Sequence, residues 1–155
     1  MAELTPAEQG TIAGGGIIAV LADDLIWASR LVAAVERTGA QAARLSTEDQ
    51  LETVLLAAEE AEPVADDMLS VRPPRLLGVI VDLGGRRYDG TAAVARAVAA
   101  RQRVIAVAQH EDLATRKRAL EAGALRVFSY NKLFTEGPRV IDRWLSAEQA
   151  PATRS

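Results

Sequence analysis

Hydrophobic residues along the chain form short continuous runs that alternate with stretches of helical periodicity. The runs Ile17 to Ala22, Leu76 to Val81 and Val104 to Ala108 contain no polar side chain. This pattern is typical of a strand that is covered on both faces, because both sets of alternating side chains are then buried. Gln41 to Leu45 and Arg126 to Ser129 are weaker strand candidates. The pattern therefore predicts five strands, three of them double-buried.

Stretches with apolar residues three or four positions apart lie between these runs. From Leu25 to Thr38 such residues stand at positions 28, 31, 32 and 35, and Gly39 follows as a helix terminator. Ser46 to Asp49 has the form of a capping box ahead of a second helix. The other predicted helices are Ala92 to Arg101, Asp112 to Ala122 with Gly123 ending it, and a last one with Pro138 in its first turn.

Strands and helices that alternate with short connections indicate a parallel sheet with helices on both faces. Five such units predict an α/β fold, a flavodoxin-like (βα)5 three-layer sandwich with strand order 2-1-3-4-5. We expect one domain over residues 16–146, a flexible leader over 1–15 and a flexible tail over 147–155. Segment 62–75 contains three prolines and is predicted to be a loop.

Composition and charge narrow the function classes. A chain of 155 residues that is 49% hydrophobic fits one folded domain. Its formal net charge of −3 disfavours nucleic acid or an anionic membrane as a partner. No apolar run approaches the ~18 residues of a membrane span, and the N-terminus does not resemble a secretory signal. There is no cysteine, which excludes disulfides and thiolate-bound metals. We expect a cytoplasmic protein.

Polar residues follow the predicted strands at their carboxyl ends. Asp23 and Asp24 come after the first strand, and Asp82 closes the third. Gln109 and His110 follow the fourth strand, and Tyr130, Asn131 and Lys132 follow the fifth. Ligands of open parallel sheets bind at this edge. Three carboxylates gathered there repel one another unless a cation joins them, and Mg²⁺ is the natural candidate. In the alternative interpretation, Asp23 and Asp24 cap the first helix.

The most specific segment is Val81-Asp82-Leu83-Gly84-Gly85-Arg86-Arg87-Tyr88-Asp89-Gly90. With the pair Asp23-Asp24 and the run Ala119 to Ala124, it resembles the receiver domain of bacterial response regulators, the phosphoacceptor module of two-component signalling. The resemblance spans about residues 17–146. It implies that Asp82 is the phosphorylated aspartate and that Asp23, Asp24 and Asp82 bind the metal ion.

The chain departs from this family at its switch positions. Ala108 stands where receivers carry Ser or Thr, and Tyr130 and Asn131 stand where they carry Lys and Pro. Lys132, two places further on, would reach the site only if the loop bulges. Without these groups a phosphoryl group makes few contacts that differ between two states, so switching is expected to be weak. The resemblance therefore implies an atypical receiver, or pseudo-receiver, with weak Mg²⁺ binding.

Basic residues accompany this site. Arg86 and Arg87 bring positive charge near Asp82 and offer a second way to neutralise it, with displacement of the metal. Arg116 to Arg118 form a basic stretch, expected to be a solvated helix face or part of a partner surface. His110 is expected to be an exposed loop residue. Trp27 and Trp144 are expected to be packing residues on neighbouring helices, the first and the fifth.

We expect the domain to act through protein–protein contacts, without enzymatic turnover, because no nucleophile–base pair or cofactor loop is evident. The expected partner is a histidine kinase, a downstream signalling protein, or a second copy bound through helix 4, strand 5 and helix 5. We expect no output domain after residue 146. One alternative is a working receiver that a histidine kinase phosphorylates on Asp82. A remote alternative is a small sugar- or phosphate-binding protein, since Ile18 to Leu25 also resembles the opening of four-carbon acid sugar kinases.

Overall fold

The computed structural model describes residues 15–60 and 75–147. The strands are β1 (Gly16–Leu21), β2 (Gln41–Leu45), β3 (Arg75–Asp82), β4 (Val104–Ala108) and β5 (Arg126–Ser129). The helices are α1 (Leu25–Glu36), α2 (Glu48–Glu60), α3 (Gly90–Ala99), α4 (Leu113–Glu121) and α5 (Tyr130–Ala147). All neighbouring strands pair in parallel, in the order β2-β1-β3-β4-β5. The predicted flavodoxin-like order is therefore confirmed. Apart from Gly15, Arg75 and Ala147, the predicted leader, loop and tail lie outside the described residues.

The two faces of the sheet carry separate hydrophobic layers. In β1, Ile18 and Val20 pack with Leu31 of α1 and Ile141 of α5. The alternate residues Ala19 and Leu21 pack with residues of the other three helices, among them Leu55, Val94 and Ala119. Strands β1, β3 and β4 lie inside the sheet, which confirms the prediction from their apolar runs. Among the described helices, none has the length and apolar character that crossing a membrane requires.

Local sequence signals mark most helix starts and ends close to the predicted positions. Gly39 and Gly123 have φ angles of 97° and 116°, and each follows a helix. Asp112 caps α4 by accepting a hydrogen bond from the Thr115 N–H, at 3.1 Å. The predicted capping box of Ser46 and Asp49 is wrong by one residue. Thr47 Oγ1 accepts from the Gln50 N–H at 3.2 Å, and Gln50 Oε1 accepts from the Ser46 N–H at 2.7 Å.

The last helix has an additional segment ahead of its predicted start. α5 consists of two helical segments that meet at a kink at Glu136, whose φ is −128°; the first starts at Tyr130, and the second has Pro138 in its first turn, as predicted. Pro138 has no N–H to donate one turn back and its ring would crowd a preceding turn, so it suits the start of the second segment. A Cβ on Gly137 would lie 2.7 Å from the Cβ of Ala34, so the glycine lets α5 approach α1 closely. The extra turn brings Tyr130 to the carboxyl edge of the sheet.

The basic stretch on α4 is not uniformly solvated. Arg116 is half-buried, and its Nη2 donates to the Val127 carbonyl of β5 at 3.0 Å. Lys117 remains exposed and pairs with Glu121 at 4.0 Å. The expectation of a solvated face therefore holds for Lys117 and Arg118 and is wrong for Arg116, which packs α4 onto the sheet.

Candidate functional site

A cleft of about 550 Å³ opens at the carboxyl edge of the sheet. It lies where β1 and β3 end, beside the ends of β4 and β5. Asp23, Asp24 and Asp82 all line it, and so do Ala108 and Tyr130. The topology therefore brings together residues that are far apart in the chain, because parallel neighbouring strands end at the same edge.

Asp82 is the buried acid of this cleft. It is the last residue of β3, and only 2% of its surface is exposed. The Gly84 N–H donates to its Oδ1 at 2.9 Å, and the Tyr130 hydroxyl donates to the same oxygen. Burial raises the pKa of Asp82 above its ordinary value of 3.8, while the two hydrogen bonds act in the opposite direction. Asp82 is thus held by a backbone amide and a phenol.

Tyr130 is fixed by an aromatic stack. Its ring stacks on Trp27 with centroids 4.7 Å apart, and Trp27 stacks on Phe134 with centroids 4.9 Å apart. Burial, followed by the hydrogen bond to Asp82, raises the pKa of the Tyr130 phenol above its ordinary value of 10.0. The phenol therefore stays protonated at neutral pH and acts as a donor. Trp27 is a packing residue, as predicted, and it also lines the cleft.

Asp23 binds the loop that follows β3. Its Oδ2 accepts hydrogen bonds from the backbone N–H groups of Arg86 and Arg87, both at 2.7 Å. Both arginines therefore contact Asp23 through their backbone N–H groups. Within residues 15–60 and 75–147, neither arginine forms an ion pair with Asp82, so the predicted neutralisation of Asp82 is not seen. Both arginines line the cleft.

Asp24 is the N-cap of α1. Its Oδ1 accepts from the Ile26 N–H at 2.9 Å and from the Trp27 N–H at 3.0 Å. The helix-capping interpretation is therefore correct for Asp24, whereas Asp23 has the different role of binding a loop. The cap also fixes the first turn of α1, from which Trp27 extends toward Tyr130.

Tyr88 also belongs to the site, although it is not among the predicted site residues. Its hydroxyl is buried, 2.7 Å from the carbonyl oxygen of Asp82 and 3.1 Å from that of Leu21, so it ties the ends of β3 and β1 together. A Cβ on Gly85 would lie 2.1 Å from the Tyr88 ring, so the ring needs a glycine at this position. An aromatic residue inside a glycine-rich loop is the signal that marks it.

Other candidates do not contribute a charged or polar group to Asp82. Lys132 is exposed; its Nζ lies 3.0 Å from Glu136 Oε1, and it does not line the cleft. The possibility that a bulge brings Lys132 to the acidic site is therefore not realised in this structure. Ala108 lines the cleft with a methyl group. His110 is exposed in the loop after β4, as predicted.

The described residues contain no group of three His, Cys, Asp or Glu side chains arranged to hold a metal ion. One oxygen of each predicted ligand is already used: Asp23 Oδ2 by the loop, Asp24 Oδ1 by α1, and Asp82 Oδ1 by Tyr130. The predicted Mg²⁺ site of Asp23, Asp24 and Asp82 thus stays a prediction.

No protein-family model and no curated protein matches the chain. Solved structures do match it. The chain has the receiver-domain fold. The receiver domain of a histidine kinase from Arabidopsis thaliana, complexed with Mg²⁺ and BeF3⁻, has 16% identity and a TM-score of 0.66 over 90% of this chain and 94% of its own. The receiver domain of a sensor histidine kinase from Pseudomonas aeruginosa, with a magnesium ion coordinated in its active-site cleft, has 18% identity and a TM-score of 0.64 over 86% and 99%.

A third receiver structure belongs to a DNA-binding response regulator from Colwellia psychrerythraea. It has 20% identity and a TM-score of 0.63 over 84% of this chain and 98% of its own. These likenesses confirm the receiver fold expected from the segment around Asp82. At identities of 20% or less such likenesses show the fold, and the role of each cleft residue follows from its own contacts.

Proposed function

We propose that the chain is an atypical receiver domain with impaired phosphorylation switching, which acts through protein–protein contacts. The hydrogen bond from Tyr130 to Asp82 carries this proposal. A lysine at the end of strand five would offer a positive charge to an ionised Asp82 and to phosphoryl oxygens. The Tyr130 phenol offers one hydrogen bond and no charge.

The arrangement disfavours phosphoryl transfer to Asp82. In that step a carboxylate oxygen forms a bond to phosphorus while the bond from phosphorus to the leaving group breaks. The attacking oxygen has to be ionised and accessible, yet burial favours the protonated form of Asp82 and Tyr130 occupies Oδ1. After transfer, the methyl side chain of Ala108 would offer no hydrogen-bond donor to the phosphoryl group. Phosphorylation would therefore bias the two states only weakly.

We propose weak Mg²⁺ binding at this cleft. Mg²⁺ usually takes one or two carboxylates and keeps several waters. Asp23 and Asp24 each keep one carboxylate oxygen without a hydrogen bond among the described residues, and these two acids would hold the ion. When bound, the ion would neutralise negative charge on phosphoryl oxygens.

A working phosphoacceptor is the second candidate, because Asp23, Asp24 and Asp82 line one cleft. In this function a histidine kinase would phosphorylate Asp82, and the Tyr130 hydroxyl would have to release Oδ1 for that oxygen to react. The similar Arabidopsis domain binds Mg²⁺ and BeF3⁻, which supports testing this candidate directly.

We further propose that the domain comprises residues 16–146, works in the cytoplasm and catalyses no turnover reaction. Its partner is a histidine kinase or a downstream signalling protein. The similar solved structures support this setting, since they are receiver domains of histidine kinases and of a response regulator.

Incubation with Mg²⁺ and beryllofluoride or acetyl phosphate tests the proposal, with intact mass and amide spectra as readouts. We expect the wild type to take up little phosphoryl group and to show no shift from β4 to α5. Tyr130→Phe, which keeps the ring and removes the hydroxyl, should increase uptake, and Tyr130→Lys should increase it further. Asp82→Asn is the negative control. A long-lived wild-type adduct with one phosphoryl group and a shifted β4–α5 surface would establish a working receiver instead.

A further inference from the structure

Tyr130 belongs to a short helical segment, residues 130–136, that a kink sets apart from the rest of α5. The backbone is not helical at Glu136, and Pro138 has no N–H to donate into the preceding turn. The ion pair between Lys132 and Glu136, at 3.0 Å, stays within the segment. Side chains that pack against other elements of the domain must therefore hold the segment in place.

Two of the packing side chains of this segment lie against Trp27. Leu133 is fully buried in the core, whereas Tyr130 and Phe134 stack on the indole, with ring centroids 4.7 Å and 4.9 Å from it. The centroids of these two rings are only 6.2 Å apart, so both rings lie on the same side of the indole. One residue of α1 thus supports both aromatic residues of the segment.

The first turns of α1 fix Trp27 itself. Asp24 Oδ1 accepts a hydrogen bond from the Trp27 N–H at 3.0 Å. One turn further on, the guanidinium carbon of Arg30 lies 5.8 Å from the centroid of the indole and 5.3 Å from that of Phe134. A guanidinium over aromatic rings at this distance is attracted to their faces. The stack therefore has a support that the helix cap and Arg30 both stabilise.

The Tyr130 hydroxyl fits closely beside Asp82. It donates to Oδ1, the oxygen that also accepts from the Gly84 N–H at 2.9 Å. A Cβ on Gly84 would lie 2.9 Å from this hydroxyl, so the close approach uses the absence of a side chain there. Asp82 is 2% exposed in this arrangement. If the ring moved away from the indole, Oδ1 would keep only the hydrogen bond from Gly84.

We propose that segment 130–136 is an inhibitory latch on Asp82, and that Trp27 is the positioning residue that holds it closed. The inference rests on the proposed function, in which the Tyr130 hydroxyl hinders reaction at Oδ1. It adds that α1 controls the reactivity of Asp82 through the aromatic stack.

Initial rates of phosphoryl uptake from acetyl phosphate and Mg²⁺, followed by intact mass, test the latch on the full chain. Phe134→Leu removes one ring contact of Trp27 and should raise the rate about threefold, as expected for one aromatic pair. Trp27→Leu removes both ring contacts and should raise the rate about tenfold. If Trp27→Leu does not fold, Phe134→Leu carries the same test alone.

Trp144→Leu is the matched control, because it removes the same side chain from the second segment of α5. Trp144 is 5% exposed and packs beside Gly78 of β3, where a Cβ would lie 2.7 Å from the indole. It does not line the cleft. This variant should lose stability without a change in the uptake rate. Circular dichroism and urea unfolding check that each variant is folded.

A double variant distinguishes a latch from a general loosening of the cleft. Because Trp27 acts through the Tyr130 hydroxyl, Trp27→Leu with Tyr130→Phe should react no faster than Tyr130→Phe alone. Amide spectra give a readout without a phosphoryl donor, since the Gly84 N–H donates to the same oxygen of Asp82. The Gly84 resonance should shift in the same direction in Trp27→Leu and in Tyr130→Phe, and it should stay in place in Trp144→Leu.

Three results would overturn the latch. They are a wild-type rate in Trp27→Leu, an equal gain in Trp144→Leu, and additive gains in the double variant. Faster uptake by Tyr130→Phe would still support the proposed function in each of these cases. No gain in Tyr130→Phe would instead overturn the role of its hydroxyl, and with it both the proposed function and the latch.

Discussion

The indole of Trp27 lies against the phenol of Tyr130, with ring centroids 4.7 Å apart and 23° between the ring planes. The backbone N–H of Trp27 is also capped by Asp24, at 3.0 Å. The first turn of α1 therefore presents a cleft acid and also holds the aromatic residue that donates to Asp82. The contact between Trp27 and Tyr130 therefore links the packing of α1 against α5 to the hydrogen bond that Asp82 accepts at the end of β3.

Replacing Trp27 by Leu should loosen this arrangement. The variant loses both ring stacks, and we expect its free energy of unfolding to fall by about 1–3 kcal/mol. Urea unfolding followed by circular dichroism at pH 7 measures the change. The neighbouring Ile26→Ala is the control, because Ile26 is 65% exposed and its loss should cost less than about 0.5 kcal/mol. Equal losses in the two variants would contradict a stabilising role of the stack.

The strands and most helix ends could be predicted because their signals are local. The apolar run from Val104 to Ala108 matches β4 residue for residue, since a strand buried on both faces has no polar position. Gly39 and Gly123 adopt the positive φ angles that a glycine permits after a helix. In each case the information lies within a few residues of the feature it determines.

The hydrogen bond that defines the cleft could not be predicted in this way. Tyr130 and Asp82 are 48 residues apart, and only the sheet topology brings them together. Pro138 is a typical signal of a helix start and marks the second segment of α5, whereas no such proline marks the segment that carries Tyr130. Arg116 shows the same limit, because nothing local distinguishes it from the solvated Lys117.

Removing the hydroxyl of Tyr88 tests the tie between β1 and β3. Tyr88→Phe keeps the ring against Gly85 but leaves the carbonyls of Leu21 and Asp82 without this donor. We expect the free energy of unfolding to fall by about 1–2 kcal/mol, which urea unfolding measures. Thr53→Ala removes an exposed hydroxyl on α2 and should cost less than about 0.5 kcal/mol. A loss no larger than that of the control would show that the buried hydroxyl contributes little.

The burial of Asp82 predicts how stability depends on pH. Because burial raises the pKa of Asp82 in the folded state, the folded chain binds this proton more readily than the unfolded chain. The wild type should therefore lose stability as the pH rises from the ordinary value of 3.8 through the raised value. Asp82→Asn has no proton to lose, and its amide oxygen can still accept from Gly84 and Tyr130. We expect this variant to be the more stable by about 1 kcal/mol at pH 7, with the difference vanishing below the ordinary value.

Urea unfolding of the wild type and of Asp82→Asn from pH 3 to pH 8 at constant ionic strength measures this difference in stability. Asp112→Asn is a control of opposite sign, because hydrogen bonds with Thr115 lower the pKa of Asp112. The stability that the Asp112 carboxylate contributes is present above its ordinary value and is lost as the pH falls through the lowered one. If Asp82→Asn is instead the less stable variant at pH 7, and the deficit shrinks in acid, the hydrogen bonds from Tyr130 and Gly84 outweigh burial. Asp82 would then be an ionised carboxylate ready to accept a phosphoryl group, and the working receiver would become the better account of the cleft.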